Sequence, residues 1–213
     1  MEPNARARST LVLGLLGGIA SGKSAVARLL AGPQGEVLSA DRMVHEILDS
    51  PAGLAWLAEH LGPTAIGRDG HPDRAAIARL VFDPPSGAER RAELERWIHP
   101  RVRDRIMERL SEARAAGVPR IVLDVPLLLE NDAQHGLVGQ CDALVFVEAP
   151  EDERERRARR ERGWPPGELA RREAAQMPLA DKAQRAHHVI QNHQSMQDLE
   201  RAVNELLLRL RVR

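Results

Sequence analysis

The chain reads as an α/β fold, a doubly wound parallel sheet with helices interleaved between its strands. Three observations predict it. Short continuous apolar runs recur at residues 11–16, at Val37-Leu38, at Ile121-Val122-Leu123 and at residues 143–147, with a weaker one at Val189-Ile190. Each lies before or between segments whose apolar residues recur at helical spacing, and an uninterrupted apolar run suits a strand buried on both faces. The first run ends in glycines and passes straight into a helical pattern (Val26, Leu29, Leu30). Sheets built this way bind their ligands beyond the carboxyl ends of the strands.

The bulk properties narrow the partners. A chain of 213 residues holds one such domain with a smaller inserted part. Thirty-one basic residues balance 31 acidic ones, so no global field favours nucleic acid or an anionic membrane, and no obligate protein partner is implied. Cys141 is the single cysteine, which rules out an internal disulfide and fits a reducing cytoplasm. No apolar run approaches the roughly 20 residues that span a bilayer. Arg6 and Arg8 ahead of residues 11–20 imitate a secretory leader. That block leads directly into Gly22-Lys23-Ser24 and an amphipathic segment, which a leader does not. Among the basic residues 29 are arginine and only Lys23 and Lys182 are lysine. A chain that uses arginine for generic positive charge thus keeps a compact ammonium at 23.

Two stretches stand outside the strand–helix alternation. Residues 43–116 read as helices around a Gly/Pro/Asp-rich interruption, "GPTAIGRDGHPD", and form an expected helical insert. Residues 151–176 read as an exposed arm, a charged helix, a Gly-Trp-Pro-Pro break and a second charged helix. Residues 9–42, 117–150 and 177–213 make up the core. Its last segment opens with a Ser-x-x-Asp cap (Ser195, Asp198) and carries one apolar stripe, Leu199, Val203, Leu206 and Leu210, expected to close the core.

The glycine-rich turn is the strongest chemical signal. Gly17-Gly18-Ile19-Ala20-Ser21-Gly22-Lys23-Ser24 fits G-x-x-x-x-G-K-[ST], with a strand before and a helix after. Small residues let successive backbone N–H groups converge on phosphate oxygens, and the following helix presents its positive end. Lys23 is placed to reach the β/γ-phosphates and the Ser24 hydroxyl to ligate Mg²⁺. This is a nucleotide-phosphate site, shared by ATPases, GTPases and small-molecule kinases; the guanine-specifying N-K-x-D pattern is absent.

Four further segments narrow the choice. "SADRMVHEIL" puts Asp41 just beyond the second strand, and "RWIHPRV" holds Ile98-His99-Pro100 in the insert. "IVLDVPLLLE" ends a buried strand at Asp124, and "REAAQMPLADKAQRAHHVIQN" runs from the arm to Asn192. With the cradle, and in this order from Leu13 to Asn192, they resemble the dephospho-coenzyme A kinases, whose segments read G-x-T-G-G-I-G-S-G-K-S, D-A-D, H-P, D-[VI]-P-L-L-[FL]-E and A-D-x-V-I-x-N. The P-L-L-x-E segment discriminates best.

The resemblance implies a P-loop kinase-type three-layer α/β/α fold with a five-stranded parallel sheet, a helical acceptor-binding insert and a lid. It implies transfer of a phosphoryl group from Mg·ATP to the ribose 3′-hydroxyl of dephospho-coenzyme A, the closing step of coenzyme A synthesis. Residues 17–25, from Gly17 to Ala25, and Asn192 then bind ATP. Asp41, Lys23, Arg156 and Arg160 serve catalysis; Asp41 orients or deprotonates the acceptor hydroxyl, and the two arginines, sharing a helix face at i and i+4, stabilise charge on the transferred group. Asp41, His99, Asp124, Leu127 and Glu130 meet the acceptor, with Asp124 alternatively holding a Mg²⁺-bound water.

The departures are specific. Ser39 replaces the first aspartate of D-A-D, Ala20 a cradle glycine, and His187 the aspartate of A-D-x-V-I-x-N; Leu16 and Ala25 stand where threonine is common. Ala20 is tolerable if its φ is negative. Two other readings remain: a related nucleoside monophosphate kinase, though Arg42 is the only arginine near the second strand's end, and a P-loop protein that senses nucleotide without turnover.

Overall fold

The structure, a computed structural model, describes residues 10–83, 85–193 and 195–211. Arg6, Arg8 and Ser9, on which the leader comparison and the first boundary of the core rest, lie outside the described residues. The described chain packs as two compact units, one running up to Leu38 and resuming at Arg109, the other Ser39–Glu108.

The first unit carries the sheet. Strands β1 (Leu11–Gly17), β2 (Glu36–Ser39), β3 (Arg120–Asp124), β4 (Ala143–Glu148) and β5 (His188–Gln191) lie in the order β2-β3-β1-β4-β5. All run parallel, with β1 paired to β3 on one side (Leu13 opposite Val122) and to β4 on the other (Leu15 opposite Val145). The chain first builds on one side of β1 and then on the other, so the crevice expected of such sheets opens at the carboxyl end of β1. Both faces of the central strands are buried. Leu13, Leu15, Val145 and Val147 meet helix α1 (Lys23–Ala31) and the last helix, whose Leu199, Val203 and Leu206 are buried in the same cluster; Leu210 packs at its margin. The alternate residues Val12, Leu16, Leu144 and Phe146 are buried as well, which is why these strands read as unbroken apolar runs.

The second unit is helical. It contains α2 (Ala40–Leu48), α3 (Pro51–His60), α4 (Arg74–Phe82) and the larger part of α5 (Gly87–Ala115), in which the unit ends at Glu108; the sequence places its insert at 43–116. Inside this unit Trp56 stacks on His60 at 4.5 Å and on Trp97 at 5.1 Å. The Gly/Pro/Asp-rich interruption folds as a 3₁₀ turn (Pro63–Ala65) and a tight loop closed by one bridge between Ile66 and Pro72, and Asp73 then caps α4 through the N–H of Ala76.

After β3 the first unit continues through α6 (Asp132–His135), β4, α7 (Glu151–Arg162), α8 (Glu168–Glu173), α9 (Leu179–Arg185) and β5 to α10 (Met196–Arg211). The arm is not the exposed appendage its charge suggests. Arg154 and Ala158 of α7 and Leu169 of α8 are buried, and Trp164 in the break lies between the guanidinium groups of Arg162 (5.0 Å) and Arg172 (4.3 Å). Cation–π contact fixes a segment that its composition leaves looking solvated.

Candidate active site

The turn after β1 is held from two sides. Gly22 ends it at φ 89° as the residue preceding α1, and a side chain there would run into Asn192 Nδ2. Only glycine meets both demands. Asn192 is buried; its Nδ2 donates to the carbonyl of Ser21 at 2.8 Å, and its own carbonyl accepts from Arg157 Nη2 at 3.1 Å. Arg157 Nη1 donates to the Ser21 carbonyl at 3.3 Å, while its Nε pairs with Glu153. A buried amide and an arginine thus tie the turn to β5 and α7. Ser21 is fully buried beneath it.

Ala20 has φ 57°, so the condition under which alanine replaces glycine without cost is not met. Its Cβ sits in the left-handed region, a strain on the order of 1 kcal/mol that the surrounding bonds sustain.

Lys23 opens α1, and its Nζ donates to the carbonyls of Gly17 (3.1 Å) and Gly18 (2.8 Å). Burial lowers its pKa from 10.5 to about 8; Asp124 and Glu173 oppose the change, and Lys182 and Arg162 add to it. Beside it the Ser24 hydroxyl donates to Asp124 Oδ2 at 2.8 Å. A helix-start hydroxyl and a strand-end carboxylate therefore meet at one point. Asp124 is thus engaged by the helix that follows the cradle.

Glu130 is held by a buried lysine. Its Oε1 lies 2.7 Å from Nζ of the buried Lys182 and accepts from the N–H of Met177 at 3.2 Å; Lys182 also donates to Gln176. The glutamate of P-L-L-x-E anchors the segment between α8 and α9. Leu127, in the same turn, sits at φ 55° and is half-buried.

Arg156 and Arg160, expected at the transferred group, are exposed, one paired with Glu153 and the other with Glu161 at 2.8 Å. The helix turns Arg154 and Arg157 inward instead. Sequence reasoning missed these two, and Glu173 with them; in so arginine-rich a helix no local signal separates the faces. Lys182 had one, as the second of only two lysines.

Asp41 and His99 belong to the second unit. Asp41 is exposed in the first turn of α2, two residues past the end of β2. The cap of that helix is Ser39, whose Oγ accepts from the N–H of Arg42, so Asp41 itself is not the capping group. His99 is exposed on α5. His187 is structural: its Nδ1 accepts from the N–H of Leu144 at 2.9 Å, tying the approach to β5 to β4. Burial, with Asp142 and Asp132, pushes the Cys141 thiol up to about 12, away from the thiolate form. Among the described residues no cluster of three metal-ligating side chains exists, and no helix is long and apolar enough to cross a membrane.

Comparison with known proteins agrees with this geometry. A family model described as dephospho-CoA kinase matches residues 11–198. A dephospho-CoA kinase of Thermus thermophilus is 38% identical over 204 residues, 96% of this chain and 94% of that protein. One from Symbiobacterium thermophilum is 38% identical over 186 residues, 87% and 75% of the two chains. The crystal structure of TT1252 from Thermus thermophilus superposes with a TM-score of 0.73 at 36% identity, covering 95% of this chain and 98% of that one. A Campylobacter jejuni dephospho-CoA kinase, at 19% identity and TM-score 0.67, shares the fold over 94% and 97% of the two chains.

Proposed function

The chain belongs to the dephospho-CoA kinase family, and from that premise we propose how its residues divide the transfer of a phosphoryl group from ATP to the ribose 3′-hydroxyl of dephospho-coenzyme A. The main-chain amides of residues 17–24 hold the phosphates, and the Lys23 ammonium neutralises charge at the β/γ oxygens. Ser24 and Asp124 are the Mg²⁺ side of the site. A hydroxyl and a carboxylate 2.8 Å apart are the hard oxygen donors this ion takes, and with a nucleotide it needs only one or two from protein. Ser24 and Asp124 would hold the ion, which would supply positive charge to offset the charge that develops on the transferred group.

Asp41 orients or deprotonates the acceptor hydroxyl. The cap supplied by Ser39 supports this, because it leaves the Asp41 carboxylate uncommitted to its helix end. His99 and Leu127 contact the acceptor. Arg156 and Arg160 stabilise the transferred group; both guanidinium groups are exposed, so leaving their present ion pairs costs at most about 1 kcal/mol. Asn192 supports the cradle from below through Ser21. The place of work is the cytoplasm, in keeping with one unreactive thiol.

The Ser24–Asp124 hydrogen bond carries this reading. With Mg·ATP and dephospho-coenzyme A, ADP forms together with a product one phosphate heavier, read by coupled assay and mass spectrometry; ADP release that ignores the acceptor would sink it. Asp41→Asn lowers kcat by roughly 10²- to 10⁴-fold while changing the Kd for ATP little.

A further inference from the structure

The carboxylate of Glu173 lies on the cradle. Its Oε1 accepts the backbone N–H of Ile19 at 2.9 Å, and the same oxygen accepts from Arg154 Nη1. Glu173 closes α8 and Arg154 lies in the first turns of α7, so two elements of the arm meet on one amide of the phosphate turn. The approach is close: a side chain at Gly18 would stand 2.8 Å from Glu173 Oε1 and 2.9 Å from Arg154 Nη1. Arg154 is 4% exposed, and its Nε donates to the carbonyl of Ala149 at 3.1 Å, which aims the guanidinium at the turn. Gly18 and Arg154 also line a pocket beside the cradle, with Phe146, Glu148, Leu179 and Ala183.

A buried arginine needs an anion, and a main-chain amide in a phosphate turn is built to receive one. Glu173 supplies both needs with one oxygen. We propose that Glu173 is an internal anion that competes with the phosphates of the nucleotide for the cradle, and that Arg154 is a phosphate-binding residue which changes partner when Glu173 leaves. The proposal rests on the reading of this turn as a nucleotide-phosphate site. Arg154 stays buried and paired throughout, first with a carboxylate and then with a phosphate oxygen, so the exchange never strands its charge. The pocket gives the guanidinium room to follow the incoming anion. Displacing Glu173 frees the end of α8, which couples the arrival of phosphate to the position of the arm.

Calorimetric titration of the full chain with ATP, ADP and adenosine tests this. Glu173→Gln keeps the shape and removes the competing charge. It tightens ATP roughly tenfold, little more than one like-charge contact exerts in water because Arg154 loses its carboxylate at the same time, and tightens ADP by no more than that. Adenosine, which carries no phosphate, binds as before. The double variant Arg154→Leu, Glu173→Leu, which replaces a buried ion pair by an apolar one, binds ATP more weakly than Glu173→Gln because the guanidinium is gone. If Glu173→Gln does not fold, Glu173→Asp carries the same test, since the shorter side chain keeps the charge for Arg154 and falls short of the Ile19 amide. Tightening that is equal for adenosine and ATP, or no tightening in either Glu173 variant, overturns the proposal. A wild-type chain that binds neither ATP nor ADP removes the phosphate site itself, a different failure.

Discussion

The cradle and the arm meet at one place and are built on opposite terms. Residues 17–24 work through backbone: amides converge, glycine permits the turn, and a single lysine supplies charge. The arm, α7 and α8, works through side chains, with buried and exposed arginines alternating along one short helix. A backbone site demands particular residue types at fixed positions and tolerates few others. A side-chain site accepts many sequences, because which arginine points inward depends on what the helix packs against. The departure at Ala20 shows the first kind under strain; Arg154 and Arg157 show the second resolved by docking.

The contrast can be broken most severely at Lys23. Lys23→Ala lowers turnover by about a thousandfold or more, the scale of losing a preorganised charge at a reacting phosphate. The lysine also sets a pH limb. It must be protonated to act, and its pKa lies near 8, so kcat/KM for ATP falls as pH rises through about 8. At saturating ATP the phosphates favour the ammonium, and kcat holds to higher pH. A flat kcat/KM profile between pH 7 and 9.5 shows that burial does not tune this group.

A smaller effect separates the two faces of the arm. Arg157→Ala removes donors to the carbonyls of Ser21 and Asn192 and lowers stability by about 1–3 kcal/mol in urea unfolding. Arg160→Ala, on the exposed face, shifts stability by no more than about 0.5 kcal/mol and lowers kcat. Equal destabilisation by the two would show that the inward face is not special. The smallest change is at Ala20: Ala20→Gly relieves the positive φ, partly offset by a more flexible unfolded chain, for a net gain of about 0.5 kcal/mol. A loss of stability there means the methyl group packs better than its backbone angle suggests.

Much of this was legible in the residues. All five apolar runs became strands; the three central ones, β1, β3 and β4, are buried on both faces, and that is what an unbroken apolar run encodes. The stripe Leu199, Val203 and Leu206 closed one face of the sheet as its spacing requires. The G-x-x-x-x-G-K-S turn sits between β1 and α1, where the strand and helix patterns put it. The arm was readable as two helices and a break, but not as docked. Trp164 between two arginines and the buried Leu169 needed neighbours distant in sequence.

By itself, then, the sequence determined the order of the strands along the chain, the phosphate turn and the helices around them, because periodicity and glycine placement act over a few residues. Tertiary structure decided the partners. Arg154 and Arg157 share a helix face at i and i+3, and Arg156 and Arg160 share another at i and i+4, with nothing in the helix itself to prefer either pair. Only packing against the turn buries Arg154, half-buries Arg157 and leaves the second pair in water. Asp124 and Glu130 parted in the same way, one drawn to the Ser24 hydroxyl and the other to Lys182. Charge in a low-dielectric interior must find its counterpart, and where that counterpart lies is a property of the fold.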